Sequence, residues 1–253
     1  MKVKILGTGT SMGVPIIGCP CRVCQSLDYR DKRLRSSVFI SVPPLSLVID
    51  AGPDFRQQML RERIDKVDAV LLTHFHKDHT AGLDDLRAYN YAQGAIPLYA
   101  HACTMERIKA EYDYAFEETK YPGAPEMTPV VIDDSPFQIK GVTITPLPVM
   151  HAQLEVYGFR TGNFCYVTDA NFISEETVQK MEGAKVLIIN ALQREKHISH
   201  FNLEEAMAAA KKIGAAQTFF THIGHKMGLH AEVEKELPPG IQLASDGLCL
   251  EVD

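Results

Sequence analysis

The stretch Thr73-His74-Phe75-His76-Lys77-Asp78-His79 places four potential metal ligands within six consecutive positions. Imidazole and carboxylate groups are the donors that zinc and similar metals accept. The preceding run Ala69-Val70-Leu71-Leu72 is typical of a buried strand, and the following Thr80-Ala81-Gly82-Leu83 indicates a turn into a helix. The pattern therefore predicts a metal site on the loop at the end of a strand.

The composition is that of an ordinary globular protein. Of the 253 residues, 45% are hydrophobic and 23% are charged, which argues against a disordered chain. No apolar run approaches the roughly 20 residues of a membrane-spanning helix, and residues 1–7 resemble a strand rather than a signal peptide. We therefore expect a cytoplasmic protein without a membrane partner. The net charge of −6 argues against a large nucleic-acid partner, because duplex binding normally requires a basic face.

Strand-like and helical segments alternate along the chain and predict an α/β protein. Strand-like runs recur from residues 2–6 to residues 241–252, and helical patterns fall between many of them, for example at 83–91 and 203–213. So many strands with surface helices favour two mixed sheets packed face to face with helices outside. No linker or repeat interrupts the pattern, so we expect a single domain over residues 1–253.

The cysteines divide into a cluster and a scattered set. Three of the six lie in one short loop, namely Cys19, Cys21 and Cys24. In a cytosolic chain such crowding indicates metal binding before it indicates disulfides, so we expect a metal-binding loop at about residues 18–25. The others are Cys103, Cys165 and Cys249. We expect these three to be small buried residues, the common environment of free cysteine.

Three further polar residues follow apolar strand-like runs directly: His151, Asp169 and His222. A rigid strand end can aim a side chain at a shared point. Each of the three alone is more often a turn or capping residue. If the first cluster supplies ligands to a pair of metals, however, these three can complete the two coordination shells.

The run His74-x-His76-x-Asp78-His79, with the three later ligands, resembles the metallo-β-lactamase superfamily over essentially the full chain. The resemblance implies an αββα sandwich with a dinuclear centre. It implies one metal held by His74, His76 and His151, a second held by Asp78, His79 and His222, and Asp169 as the bridge. An Asp in the bridging place is similar to the phosphodiesterase and thioesterase branches rather than to true β-lactamases.

Asp50 follows the apolar run Leu47-Val48-Ile49. It resembles the superfamily's carboxylate that holds a ligand histidine in one tautomer. A turn residue at a strand end is the alternative interpretation.

Two segments near the N-terminus indicate a particular branch of the superfamily. Gly7-Thr8-Gly9-Thr10-Ser11-Met12-Gly13-Val14-Pro15 and Gly18-Cys19-Pro20-Cys21-Arg22-Val23-Cys24 resemble the PhnP-type phosphodiesterases of bacterial carbon-phosphorus lyase pathways. In that group three such cysteines and a late histidine hold a structural zinc, and His225 occupies the matching place. Three thiolates and one imidazole make a closed tetrahedral shell without an open position for substrate. The PqqB type of coenzyme biosynthesis also carries a cysteine-rich loop, so the loop alone does not distinguish the PhnP type from the PqqB type.

His200 precedes a helix start, because Asn202 and Glu205 match an N-cap and its capping-box partner. The segment resembles the His-plus-helix motif that transfer-RNA 3′-processing nucleases share with PhnP-type enzymes, where the histidine acts on the leaving group. The resemblance implies catalytic roles for His200 and Asp78. The residues alone do not exclude His197 in place of His200.

These features imply a metal-dependent phosphoric diester hydrolase acting on small cyclic ribose phosphates or related phosphodiesters. The implied cofactors are two divalent metals, Zn or Mn, and one structural zinc; the resemblance also allows a homodimer. The alternatives are a transfer-RNA processing nuclease, a thioester or lactone hydrolase, and a non-catalytic metal-dependent binding module. In the nuclease, an RNA-gripping arm lies between the counterparts of His151 and Asp169. Here these residues are 18 positions apart, which leaves no room for the arm.

Overall fold

A computed structural model describes residues 1–119 and 121–253 of the chain. In chain order its strands are β1 (Lys2–Gly7), β2 (Ser37–Val42), β3 (Leu45–Ile49), β4 (Ala69–Leu71), β5 (Ile96–His101), β6 (Met127–Ile132), β7 (Phe137–Ile139), β8 (Val142–His151), β9 (Leu154–Thr161), β10 (Phe164–Val167), β11 (Val186–Asn190), β12 (Gln217–Thr221), β13 (Ile241–Leu243) and β14 (Cys249–Glu251). The α-helices are α1 (Phe55–Glu62), α2 (Lys77–Thr80), α3 (Arg87–Gln93), α4 (Ala102–Glu111), α5 (Asp113–Phe116), α6 (Glu175–Lys180), α7 (Leu203–Ile213) and α8 (His230–Val233). Short 3₁₀ turns occur at Tyr29–Asp31, Leu83–Leu86 and His225–Met227.

The strands form two mixed sheets of the same design. The first has the order β14-β1-β2-β3-β4-β5-β6 and the second the order β13-β12-β11-β10-β9-β8-β7. The first sheet is antiparallel from β14 to β3 and parallel from β3 to β6. The second is antiparallel from β7 to β10 and parallel from β10 to β13.

Three apolar clusters establish the order of the layers. One cluster joins the facing sides of the two sheets, for example Ile5 and Leu71 of the first sheet with Tyr166 and Ile188 of the second. A second cluster packs the outer face of the first sheet against α1 and α4. A third packs the outer face of the second sheet against α6 and α7. The protein therefore has the αββα sandwich of the metallo-β-lactamase fold, which confirms the predicted fold class.

The buried strand before the histidine cluster illustrates why its sequence is apolar throughout. Ala69 and Leu71 face the second sheet, whereas Val70 and Leu72 face the helices. A strand covered on both faces has no solvent side, so its run is continuously hydrophobic instead of alternating. The burial of this strand fixes the position of the loop that follows it.

Two predictions about local structure were wrong, and the helix predicted at 83–91 is confirmed except that its first turn is 3₁₀. The run 241–252 is not one strand, because a turn containing Gly247, with φ of 85°, separates β13 in one sheet from β14 in the other. Cys249 is exposed because it lies on the opposite face of β14 from Leu250, which packs between the two sheets. Cys103 is half-buried, and Cys165 is buried as expected.

Within residues 1–119 and 121–253, no helix combines the length and apolarity needed to cross a membrane. The expectation of one domain over residues 1–253 stays a prediction.

Candidate metal centre

The predicted ligands lie at one end of the sandwich, where strands of both sheets terminate. The histidine run follows β4, and its last residues form the short helix α2 rather than an extended loop. His151 is the last residue of β8, Asp169 follows β10 by two residues, and His222 follows β12 directly. Strands β8, β10 and β12 all belong to the second sheet and run in the same direction. Their carboxyl ends therefore meet at one edge, as the carboxyl ends of α/β sheets commonly do at ligand sites.

The structure brings together two donor groups. One consists of His74, His76 and His151, and the other of Asp78, His79, Asp169 and His222. Within each group the donor atoms all lie within 4.8 Å of one another. The two groups correspond to the two ligand sets implied by the sequence.

Asp169 lies between the two groups. Its Oδ1 is 3.4 Å from Nε2 of His79 and 3.1 Å from Nδ1 of His222, and its Oδ2 is 3.8 Å from Nε2 of His74. The carboxylate thus presents one oxygen to each group, which is the arrangement that a bridging ligand requires.

Hydrogen bonds behind the ligands orient their rings. Nδ1 of His79 lies 2.7 Å from Oδ2 of Asp50, and the same oxygen accepts a hydrogen bond of 2.9 Å from the Thr73 hydroxyl. That hydroxyl is also 2.9 Å from Nδ1 of His74, and Nδ1 of His151 lies 2.8 Å from the carbonyl oxygen of Ser199. Partners of this kind fix the tautomer of a ligating histidine and leave its other nitrogen free for the metal.

The pKa shifts match a cation site. Burial lowers the pKa of His74 well below its ordinary value, so this ring is neutral and its lone pair is available. Burial alone would also lower the pKa of His79, but the carboxylates of Asp169, Asp78 and Asp50 outweigh it and raise that pKa. Burial opposes ionisation of Asp169, yet the charges of His222 and His79 hold its pKa well below the usual range. The pit, which is the space enclosed by the two donor groups, thus concentrates negative charge that attracts a cation.

The donor set fits a pair of divalent metals. Nε2 of His79 is buried and has no hydrogen-bond partner among the described residues. A buried polar atom of this kind requires a partner, and a metal ion supplies one. Imidazole and carboxylate donors suit zinc, manganese and iron alike, so the donors do not select the metal.

Three residues in or directly behind the pit have backbone conformations that non-glycine residues seldom adopt. Asp50, Asp169 and His222 have φ values of 64°, 59° and 55°. Such left-handed conformations cost free energy and persist where the surroundings enforce them, and they are frequent at functional sites. Each lets the chain turn sharply at a strand end. Asp169 and His222 thereby direct their side chains at the donor groups, and Asp50 directs its side chain at Nδ1 of His79 behind them.

His200 lies against the ligands, whereas His197 does not. The ring centroid of His200 is 4.6 Å from that of His151 and 4.9 Å from that of His222, and its Nδ1 is 3.9 Å from Oδ2 of Asp169. His197 is exposed and stands behind it, with the ring centroids 5.3 Å apart. Burial and the neighbouring His222 lower the pKa of His200 to about 3.

The helix that follows His200 is capped as predicted. The side chain of Asn202 accepts a hydrogen bond of 2.8 Å from the backbone N–H of Glu205, and the Glu205 carboxylate accepts one of 3.0 Å from the backbone N–H of Asn202. This capping box fixes the start of α7 and thereby the segment that carries His200.

The cysteine loop forms a second candidate site. Nδ1 of His225 lies 3.3, 3.4 and 3.6 Å from the sulfur atoms of Cys19, Cys21 and Cys24. Tetrahedral zinc with ordinary bond lengths places sulfur and nitrogen ligands about 3.6 Å apart. The backbone N–H of Cys24 lowers the pKa of Cys21 to about 6, which favours the thiolate that zinc binds. The four residues therefore fit a structural zinc.

Sequence reasoning missed the hydroxyl and carbonyl groups that support the ligands. These are Thr10, Thr73, Thr168 and Ser199. Thr73 and Thr168 immediately precede the ligands His74 and Asp169, and this adjacency is a signal in the sequence that points to them. Thr10 and Ser199 reach the site from remote segments, so their roles depend on the fold.

Comparison with known proteins places the chain in a family. Residues 46–223 match the family model described as a beta-lactamase superfamily domain. An octanoyltransferase of Porphyromonas gingivalis is 39% identical over 256 aligned positions, which include 100% of this chain but 52% of that protein. The chain thus spans about half the length of this relative.

Two solved structures have the same fold over the whole chain. A diphosphatase of the PhnP family superposes with a TM-score of 0.93 at 39% identity, covering 98% of this chain and 96% of the other. Zinc-bound PqqB from Methylobacterium extorquens superposes with a TM-score of 0.80 at 21% identity, with 100% of both chains covered. The matched family model, the fold and the ligand arrangement agree: the chain belongs to the beta-lactamase superfamily and is similar within it to the PhnP family.

Proposed function

We propose that this hydrolase of the beta-lactamase superfamily cleaves phosphodiesters, with small cyclic ribose phosphates as the first substrate class. The observation that carries the proposal is the position of His200. Its ring lies beside both donor groups, and its Nδ1 is buried without a hydrogen-bond partner among the described residues. Donor atoms of His151, Asp169 and His200 also lie within 4.8 Å of one another. Both donor groups have their ligands without His200, however, and its unsatisfied nitrogen suits it to act on substrate.

The donor groups define where the reaction takes place. His74, His76 and His151 would hold one metal. Asp78, His79 and His222 would hold the other, and Asp169 would be a ligand to both. A bound metal pair activates water as the nucleophile and stabilises the charge of the phosphoryl oxygens. Asp78 and Asp169 contribute ionised carboxylates, because neighbouring histidines hold both pKa values below the usual range although burial opposes this.

His200 would donate the proton that the departing alkoxide needs. With a pKa of about 3 the imidazole is neutral in the free protein. An anionic phosphodiester bound beside it favours the protonated form, because an opposite charge nearby raises the pKa of a histidine. A bound phosphodiester therefore shifts the pKa of His200 in the direction that a general acid requires.

The short connection between His151 and Asp169 favours a small substrate. Strands β9 and β10 and their turns occupy the whole interval. No additional arm projects from these described residues to grip a folded RNA. We therefore favour small phosphodiesters over transfer RNA as the substrate.

The relatives widen the substrate panel. One structural neighbour is a diphosphatase, so phosphoanhydrides belong in the panel beside phosphodiesters. The octanoyltransferase is about twice as long as this chain, and its name applies to that whole protein. An octanoyl thioester is therefore a useful contrasting substrate, because its turnover would favour the thioester alternative.

The test is a substrate panel on protein reconstituted with zinc or manganese. It contains cyclic ribose phosphates, 2′,3′-cyclic nucleotides, linear dinucleotides, a nucleoside diphosphate derivative, bis(p-nitrophenyl) phosphate and octanoyl thioester. We expect the cyclic phosphates to have the highest kcat/KM and the thioester to remain intact. Turnover of the thioester alone, or of no compound with either metal, would contradict the proposal.

A further inference from the structure

His222 is held from both sides of its ring. Nδ1 lies 3.1 Å from Oδ1 of Asp169 and 3.5 Å from the hydroxyl oxygen of Thr168, and Nε2 lies 3.3 Å from the hydroxyl oxygen of Thr10. Thr10 and His222 are 7% and 1% exposed, so water does not readily replace this contact. The two residues are 212 positions apart in the chain.

Three other buried ligand histidines are likewise held by an oxygen atom at one ring nitrogen. His79, His74 and His151 each direct Nδ1 to an oxygen atom away from the pit, at distances of 2.7 to 2.9 Å. For each of them Nε2 remains as the nitrogen available to a metal. At His222 the nitrogens are exchanged: Nδ1 faces Asp169, and the oxygen partner of Nε2 is Thr10.

The position of Thr10 is set by backbone hydrogen bonds rather than by its side chain. Its N–H donates to the carbonyl oxygen of Ile223 at 3.2 Å, and the N–H of Ile223 donates to the carbonyl oxygen of Thr8 at 2.8 Å. The N–H of Gly13 donates to the carbonyl oxygen of Thr10 at 2.7 Å. The hydroxyl therefore occupies a fixed place beside the left-handed turn at His222.

We infer that Thr10 is a positioning residue for the candidate metal centre. Its hydroxyl oxygen accepts a hydrogen bond from Nε2–H of His222, which leaves the lone pair of Nδ1 directed at the Asp169 side. A buried donor without an acceptor is costly, so this partner selects the tautomer and the ring orientation. The inference rests on the proposed dinuclear centre. It adds to that centre the residue that orients His222, the last of its ligands along the chain.

The test compares three variants by metal affinity, measured by competition with a chromophoric chelator in the absence of substrate. Thr10→Val keeps the shape of the side chain but removes the hydroxyl, and Thr10→Ser keeps the hydroxyl. Thr161→Val is the matched control, because Thr161 is also buried but its hydroxyl has no partner in the described part of the chain. Loss of such a supporting partner typically weakens metal affinity about 10- to 100-fold.

We expect Thr10→Val to weaken the metal affinity of the donor group that contains His222 by that factor, with Thr10→Ser and Thr161→Val close to wild type. Nitrogen NMR of the zinc-loaded wild type should show the proton of His222 on Nε2. If Thr10→Val fails to fold, Thr10→Ala removes the same hydroxyl without a branched side chain.

Two results would overturn the inference. One is wild-type metal affinity in the hydroxyl-free variant; the other is a proton on Nδ1 of His222. A raised KM with unchanged metal affinity would make Thr10 a substrate contact and would also contradict the positioning role. Because no readout except KM needs a substrate, the inference can hold even if phosphodiesters prove not to be substrates.

Discussion

Asp50 supports two ligand histidines with one carboxylate. Its Oδ2 lies 2.7 Å from Nδ1 of His79 and accepts a hydrogen bond of 2.9 Å from the Thr73 hydroxyl, which in turn lies 2.9 Å from Nδ1 of His74. Its Oδ1 accepts a hydrogen bond of 2.8 Å from the backbone N–H of Thr73. These two histidines belong to different donor groups, so Asp50 couples the candidate metal sites.

Asp50→Asn should therefore weaken both metal sites. The amide has one acceptor oxygen instead of two and places an NH₂ group against donors. We expect about a 10- to 100-fold loss of metal affinity and a loss of about 1–3 kcal/mol in the free energy of unfolding. Metal titration and chemical denaturation measure the two effects. Asp68→Asn is the control, since Asp68 also accepts a backbone N–H at a strand end but lies outside the donor groups.

His200→Ala should lower kcat without releasing metal. A positioned general acid contributes about 10²–10⁴-fold to the rate. The loss should be large for a substrate with a poor alkoxide leaving group and small for bis(p-nitrophenyl) phosphate, because p-nitrophenolate departs without protonation. Steady-state kinetics with both substrates and metal analysis test this.

His197→Ala is the matched variant for that experiment, because His197 is exposed and one ring further from the ligands. We expect it to retain most of the activity. An equal loss with both leaving groups in His200→Ala, or loss of bound metal, would assign His200 a different role.

Cys21→Ser should remove the structural zinc and destabilise the fold. The loop and His225 make a closed four-ligand site whose loss we expect to cost about 3 kcal/mol, which lowers Tm by roughly 10 °C in a chain of this size. The rate per folded molecule should change little. Cys249→Ser, at an exposed position outside the donor groups, should match wild type in zinc content and melting. Wild-type zinc content in Cys21→Ser would exclude a structural zinc here.

Removal of the active-site metals should lower both activity and Tm reversibly. A ligand that binds only the native state at 100 times its Kd stabilises it by about 2.7 kcal/mol. We expect chelation to abolish turnover and zinc or manganese to restore it together with Tm. The structural site should release its metal last, because four ligands enclose it. Activity that persists after complete removal of metal would contradict a metal-dependent mechanism.

The amino-acid sequence determined the donors that lie close together in the chain. His74 to His79 and Cys19 to Cys24 reveal themselves by local spacing, because a strand end and a short loop confine them whatever the remaining fold. The apolar runs before His151, Asp169 and His222 indicated three more strand ends. The resemblance of this pattern to a superfamily then predicted the two sheets, which the structure confirms.

Only the tertiary structure decided which distant groups touch. Oxygen atoms of Thr10 and Ser199 support His222 and His151 across 212 and 48 positions of sequence. It placed His200 against the ligands and left His197 in solvent. The physical reason is that such contacts arise where the ends of two sheets and their loops meet. Their distances depend on how the whole core packs, whereas periodicity and spacing report only neighbours along the chain.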